Sequence, residues 1–222
     1  AAMPTINYAL DEDARVIIAS HLGRPKGKRM DRMSLAPVAK RLSRLLGKNV
    51  AILKDCTGDE VRKAIAEIKP GCTVMLENLR FHPGEEKNDE AFARELASYT
   101  DVYIDDAFGN AHRCHASNVG VTKFVKECAA GFLMKKELTY FSKALEKPAR
   151  PLVAIVGGSK VSGKLEALGN LIKLVNKMII GGGMAFTFLK AQGYEVGKSI
   201  VEDDLLGRAR EIMAEAKEHG IK

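Results

Sequence analysis

Residues 152–165 run Leu-Val-Ala-Ile-Val-Gly-Gly-Ser-Lys-Val-Ser-Gly-Lys-Leu, and their reading decides the fold. Leu152 to Val156 is an unbroken apolar run of strand length, as expected where a parallel sheet buries both its faces. Two glycines follow, and Val161 to Val175 then has helical spacing with Gly169 inside it. Strand, glycine turn and helix make the repeating unit of α/β proteins. Further on, Lys177–Ile180 reads as a strand, and Met184–Ala191 and Asp203–Glu218 read as helices.

The same alternation fills the N-terminal side. Arg15–Ser20 is a strand leading to a Gly/Pro-rich loop. Leu35–Leu46 is a helix stopped by Gly47. Val50–Leu53, Thr73–Leu76 and Val102–Asp105 read as strands; Asp59–Ile68 and Asp89–Tyr99 read as helices, the second capped by Asp89. Phe132–Leu145 is strongly helical and ends at Lys147-Pro-Ala-Arg-Pro151, where two prolines break it. The fold class is α/β: two Rossmann-like parallel-sheet domains, each sheet covered on both faces, joined by an interdomain helix. The expected divisions are 1–136, a helix and hinge at 137–150, and 151–222. Both domains are expected to be incomplete. Ala1–Leu10 is a helix with no strand before it, and Ile221-Lys222 falls where a strand would begin.

Composition narrows the function classes. Hydrophobic residues make up 46% and charged residues 28%, which excludes a disordered tail, a collagen-like fibre and a disulfide miniprotein. No apolar run is long enough for a membrane span and no signal sequence opens the chain, so a cytoplasmic protein without a membrane partner is expected. Cys56, Cys72, Cys114 and Cys128 lack CxxC spacing and read as reduced thiols. The net charge of +7 is uneven: from His21 to Lys54 there are ten Lys and Arg against one acid, Asp31. That field attracts anions, whether nucleic acid, acidic lipid or a small phosphorylated metabolite, although a solvated helix face is the plainer reading of most of these residues. Aromatics at 6% and no Trp leave few platforms for stacking single strands.

Four clusters carry chemistry. Ser20-His-Leu-Gly-Arg-Pro-Lys-Gly27 follows a strand end, where ligands bind in open α/β sheets, and Arg24 offers a guanidinium fork. Leu76-Glu-Asn-Leu-Arg-Phe-His-Pro83 adds Arg80 as a second anion ligand; Phe81 reads as packing and His82 as a solvated loop histidine. In Asp105–Ser117, His112, Cys114 and His115 lack a fourth ligand at workable zinc spacing. Arg113 as a third anion ligand is preferred there, and no metal site is assigned. Gly158–Lys164 has P-loop spacing, but Leu165 stands where Ser or Thr would hold Mg2+, and Gly181-Gly-Gly183 follows the next strand without a Walker-B aspartate. What remains is a nucleotide site of glycine backbone, a helix N-terminus and two lysines, Lys160 and Lys164, four apart on one helix face.

The motifs SHLGRPKG, LENLRFHPGEEKND, DDAFGNAHRCHAS, VGGSKVSGK and MIIGGGMAFTFL, in this order, resemble phosphoglycerate kinase across essentially the whole chain. The resemblance implies that one domain binds 3-phosphoglycerate or 1,3-bisphosphoglycerate through His21, Leu22, Gly23, Arg24, Arg80 and Arg113. It implies that the other binds ATP or ADP through Gly158, Gly182, Gly183, Lys160 and Lys164. Lys160 would contact the phosphoryl group in flight and Lys164 the nucleotide phosphates, and Glu137 would be a hinge residue. Mg2+ would accompany the nucleotide, its protein ligand lying in a Gly-Gly-Gly-Asp loop outside this stretch. An Asp-Phe-Asn loop and the family's chief cationic arginine would lie before Ala1. The 222 residues alone are therefore expected to be inactive or nearly so, and the full-length protein to be a monomer. Two other readings stand beside this one: a P-loop-like nucleotide module with another phosphoryl transfer, and a basic nucleic-acid-binding protein.

Overall fold

Short apolar runs separated by amphipathic helices become parallel strands throughout the computed structural model, which describes residues 1–146 and 148–222. Helix α1 (Met3–Asp11) leads into β1 (Val16–Ile18). Then come α2 (Ala36–Leu46), β2 (Val50–Ile52), α3 (Asp59–Ala66) and β3 (Thr73–Met75). A single helical turn α4 (Pro83–Glu86) precedes α5 (Glu90–Ala97), β4 (Val102–Asp105), β5 (Glu127–Ala130) and the long α6 (Phe132–Leu145). The chain continues through β6 (Val153–Gly157), α7 (Leu165–Ile172), β7 (Lys177–Gly181), α8 (Met184–Ala191) and α9 (Leu206–Glu218). Two compact units divide between Leu138 and Thr139, inside α6. Of the Lys147–Pro151 break, Lys147 lies outside the described residues.

In the first unit β3 lies between β1 and β2, all parallel, and is buried along its whole length. The register pairs Ile17 and Ala51 with Val74, and Ile18 and Ile52 with Met75. Because side chains alternate across a strand, these two rows serve opposite cores. Met75, Ile18 and Ile52 pack with Leu35, Ala39 and Leu42 from α2 and its start. On the other side Ile17 and Leu76 join Val61, Phe92 and Leu96 from α3 and α5. Gly47 ends α2 at φ +64°, a left-handed position that glycine takes without strain, and the Asp89 carboxylate caps α5 on the Phe92 N–H. A second sheet pairs β4 with β5. Strand β5, Glu-Cys-Ala-Ala, carries too little apolar signal to be read in advance.

In the second unit β6 and β7 are parallel, with Ile155 opposite Ile179 and Gly157 opposite Gly181. Val156, Met178 and Ile180 face a core of Leu168, Ile172, Met184, Phe188, Ala209 and Ile212. On the other row of these strands Ile155 is 76% exposed and Ile179 53%. Among the described residues α7, α8 and α9 all contribute to one core, so one row of the strands has no apolar cover. The residues after α9 return to the sheet, where the Met178 N–H donates to Lys222 O at 2.8 Å. The helix expected over Val161–Val175 is shorter, because Ser162–Lys164 is a 3-10 turn and α7 starts at Leu165. No helix of the described residues is long and apolar enough to cross a membrane.

Candidate functional site

The first unit collects its chemistry beyond the C-terminal ends of β1, β3 and β4, and the segment after β3 holds the other two in place. Asn78, fully buried, donates from Nδ2 to Leu22 O at 2.8 Å and to Met33 O at 2.9 Å, while its Oδ1 accepts the Arg80 N–H. Arg80 donates from Nη1 to Gly23 O at 2.9 Å. Gly23 turns at φ +66°, a left-handed position that favours glycine in the His21–Arg24 turn, with the flexible Met33 side chain packed against it. Glu77, 3% exposed, receives the Leu35 N–H at 2.8 Å and the Ser34 hydroxyl at 2.7 Å, which fixes the start of α2. Glu77, a buried acceptor, is thus satisfied by several donors.

The loop after β4 is fastened from two sides. Asn118 accepts the His115 N–H at 2.8 Å and donates to Arg113 O at 2.8 Å and Asn110 O at 3.0 Å. Glu85 from α4 accepts the Ser117 hydroxyl and N–H, and its Oε1 lies 3.6 Å from His115 Nδ1. None of Glu77, Asn78, Glu85 or Asn118 was singled out from sequence. The first three stand inside the LENLRFHPGEEKND motif, Leu76–Asp89; their polar side chains give no sign in the sequence that they are buried.

These tethers bring His21, Arg80 and Arg113 into one electrostatic neighbourhood. Burial lowers the His21 pKa from its ordinary value, and the charges of Arg80, His115 and Arg113 lower it further, against Glu86. Arg80 is only 5% exposed, and its Nε has no hydrogen-bond partner, with Glu86 Oε1 at 3.6 Å. Arg113 is half-buried, whereas Leu22 and Arg24 are exposed; Arg24 and Arg113 enter no ion pair among the described residues. A guanidinium removed from water without full pairing is costly to leave alone.

His82 is not the solvated histidine expected. Its Nε2 meets Asp55 Oδ1 at 2.5 Å and its ring stacks on Phe92 at 5.0 Å. Phe81 is buried as read. The group of metal-type donors that the described residues bring together is Asp55, Cys56 and His82, rather than His112, Cys114 and His115. Cys56, however, is fully buried and donates its thiol to Glu77 O, and burial pushes its pKa far up. A thiol held neutral is a poor metal ligand.

In the second unit the turns after β6 and β7 lie back to back. The Met184 N–H donates to Gly158 O at 2.8 Å. A Cβ on Gly182, at φ +68°, would stand 2.8 Å from Gly158 O, and one on Gly183 would stand 3.0 Å from Ser159 O. A Cβ on Gly158 would meet Lys164 Cε at 2.8 Å, so the Lys164 stem lies directly over that glycine. The structure thus gathers Gly158, Gly182, Gly183 and Lys164 in one place.

Lys160 departs from the expectation that it shares a helix face with Lys164. It is an exposed residue in the turn before the 3-10 segment, and Lys164 stands at the cap of α7. Buried Val161 turns the chain inward between them. The P-loop comparison fails further here. The Val161 and Ser162 N–H groups donate to Glu202 Oε2 at 2.5 and 3.1 Å, so a carboxylate holds the amides that a P-loop offers to phosphate. Glu202 is a lone acid in a connecting segment, with no motif to announce it.

The fold and the site define a parallel α/β protein with a cationic cluster beyond the strands of one unit, and paired glycine turns with lysines in the other, where open α/β sheets hold their ligands. Residues 1–222 match the family model for phosphoglycerate kinase. The chain is 62% identical over 222 residues to the phosphoglycerate kinase of Geotalea uraniireducens (strain Rf4), and 60% to that of Geobacter metallireducens, covering all of this chain and 56% of each relative. It superposes on the phosphoglycerate kinase of Coxiella burnetii with a TM-score of 0.84 at 43% identity, covering 100% of this chain and 56% of that one. For the enzyme from Pyrococcus horikoshii OT3 the TM-score is 0.87 at 29% identity, covering 100% and 57%. This chain belongs to the phosphoglycerate kinase family, and it spans just over half the length of the relatives it matches. Neither a different P-loop reaction nor nucleic-acid binding is favoured by these relationships.

Proposed function

We propose that this chain contributes to reversible phosphoryl transfer from 1,3-bisphosphoglycerate to ADP, giving ATP and 3-phosphoglycerate. The observation that carries the reading is Arg80: a nearly buried guanidinium whose Nε has no hydrogen-bond partner, in the electrostatic neighbourhood of His21 and Arg113, in a member of this family. His21, Leu22, Gly23, Arg24, Arg80 and Arg113 bind the triose acid, the arginines meeting its carboxylate and phosphate. Gly158, Gly182 and Gly183 admit the nucleotide close to the backbone, Lys164 meets its phosphates, and Lys160 meets the phosphoryl group as it moves. The acyl C–O–P linkage opens at its P–O bond, a new P–O bond forms to the terminal phosphate of ADP, and a free carboxylate is left on the triose acid. Such a transfer is accelerated by positioning and charge stabilisation.

Neither unit holds both reactants, so transfer needs the two brought together, and Glu137 on α6 acts as hinge. Mg2+ would accompany ATP or ADP and would neutralise phosphate charge; none of the described residues is assigned as its ligand. Glu202, the acid tied to this turn, is engaged through Oε2 by two amides. The partners are small molecules, with no nucleic acid or membrane; the complete protein works as a monomer in the cytoplasm. A coupled assay with 3-phosphoglycerate and ATP, on the chain extended to the length of its relatives, tests the reading. Lys160→Ala should lower turnover more than it raises the Michaelis constant for the triose acid; a change in the Michaelis constant alone would contradict the role given to Lys160.

A further inference from the structure

Resting on that nucleotide reading, we infer that Glu202 is a positioning residue for Lys160: its carboxylate fastens the turn between Lys160 and Lys164 to the helix that follows β7. The contacts form a chain across the unit. Glu202 Oε2 accepts the N–H groups of both Val161 and Ser162, the two residues directly after Lys160. The Glu202 N–H in turn donates to Thr187 Oγ1 at 3.2 Å, and Thr187 is 1% exposed on α8. Helix α8 starts at Met184, whose N–H is bound to Gly158 O. One residue on, Asp203 pairs with Lys190 of α8 at 2.7 Å. The turn after β6 is therefore tied to the element after β7 at both its beginning and its middle.

The electrostatics agree. The Ser162 hydroxyl, then the Ser162 and Val161 N–H groups, and then the charge of Lys160 hold the Glu202 carboxyl below its ordinary range. Val161, fully buried, anchors the turn from the core side. A lysine on four flexible carbons can follow a moving phosphoryl group only if its backbone origin is fixed. A displacement of about 1 Å at a reacting centre can cost on the order of 100-fold in rate. Glu202 supplies that fixation, and it also closes the amide pair to phosphate, which leaves the glycines and lysines to receive the nucleotide.

The test uses Glu202→Gln and Glu202→Asp in the chain extended to the length of its relatives, with folding followed by circular dichroism. Glu202→Gln keeps the size and one acceptor but loses the charge. Its kcat should fall roughly 10- to 100-fold while the Michaelis constant for 3-phosphoglycerate stays within about twofold, and Glu202→Asp should recover part of the loss. A folded Glu202→Gln variant with kcat within about twofold of the parent would overturn the inference. A second readout needs no variant: the Val161 and Ser162 amides of the parent should exchange hydrogen slowly, and exchange at unstructured-peptide rates would overturn the tether. Absence of turnover in the parent would remove the proposed function and this inference with it, whereas parent turnover with an unaffected Glu202→Gln would remove this inference alone.

Discussion

The carboxylate of Glu85, with no exposed surface, accepts both the hydroxyl of Ser117 at 2.6 Å and its N–H at 3.0 Å. Two motifs 32 positions apart are joined by this one side chain. Replacing Glu85 by Ala should leave the Ser117 N–H without its partner, a loss of about 1–3 kcal/mol. Because Arg113 sits on the loop so held, the Michaelis constant for 3-phosphoglycerate should rise as well. Chemical denaturation and steady-state kinetics check the pair of effects; lost stability with an unchanged Michaelis constant would show that Glu85 serves the fold only.

Gly182 makes a second case. At φ +68° it adopts a conformation that costs an L-residue roughly 1–2 kcal/mol, and an added Cβ would stand 2.8 Å from backbone Gly158 O. Gly182→Ala should lower stability by more than that backbone cost and weaken ADP binding, measured by calorimetric titration. Gly207, where a Cβ meets nothing within 4 Å, is the control, and Gly207→Ala should leave ADP binding alone.

His21 gives a pH signature. Its pKa in the folded chain lies below the ordinary 6.5, through burial first and the cationic neighbours next. The unfolded chain therefore takes up the proton more readily, and this group's share of stability is lost as pH falls below about 6.5. Imidazole NMR signals should titrate with a midpoint below 6.5, and adding 3-phosphoglycerate should move that midpoint up, since an anion favours the charged ring. A midpoint that ignores the ligand would contradict the placement of His21 in the anion cluster.

Packing sets the remaining expectation. Leu168 is fully buried among Ile172, Met184 and Phe188. Leu168→Ala should cost about 2–5 kcal/mol, the usual range for a large-to-small change in a core, read as a lower denaturation midpoint with an unchanged slope.

Most of the fold was legible because it follows hydrophobic periodicity. The helices Phe132–Leu145 and Met184–Ala191 fall where they were read, and Gly47 and Asp89 end and cap the helices assigned to them. What periodicity cannot carry is a strand such as Glu127–Ala130, paired for its backbone rather than its side chains. The site was legible as its cations and glycines, since their chemistry is local to a motif. Its supports were not, because Asn78, Glu85 and Glu202 act through partners 56, 32 and 41 positions away. Lys160 was misplaced for the same reason: the spacing of four implied a helix face, and the distant Glu202 carboxylate shapes the turn otherwise.

A crystal structure of the chain at the length of its relatives, grown with 3-phosphoglycerate and ADP together, is the decisive measurement. The acid should lie with its carboxylate or phosphate at charge-assisted hydrogen-bond distance, about 2.7–2.9 Å, from the guanidinium groups of Arg80 and Arg113, and the ADP phosphates should rest against Gly158, Gly182 and Lys164. Either compound bound clearly elsewhere, with these residues untouched, would contradict the assignment of the two sites.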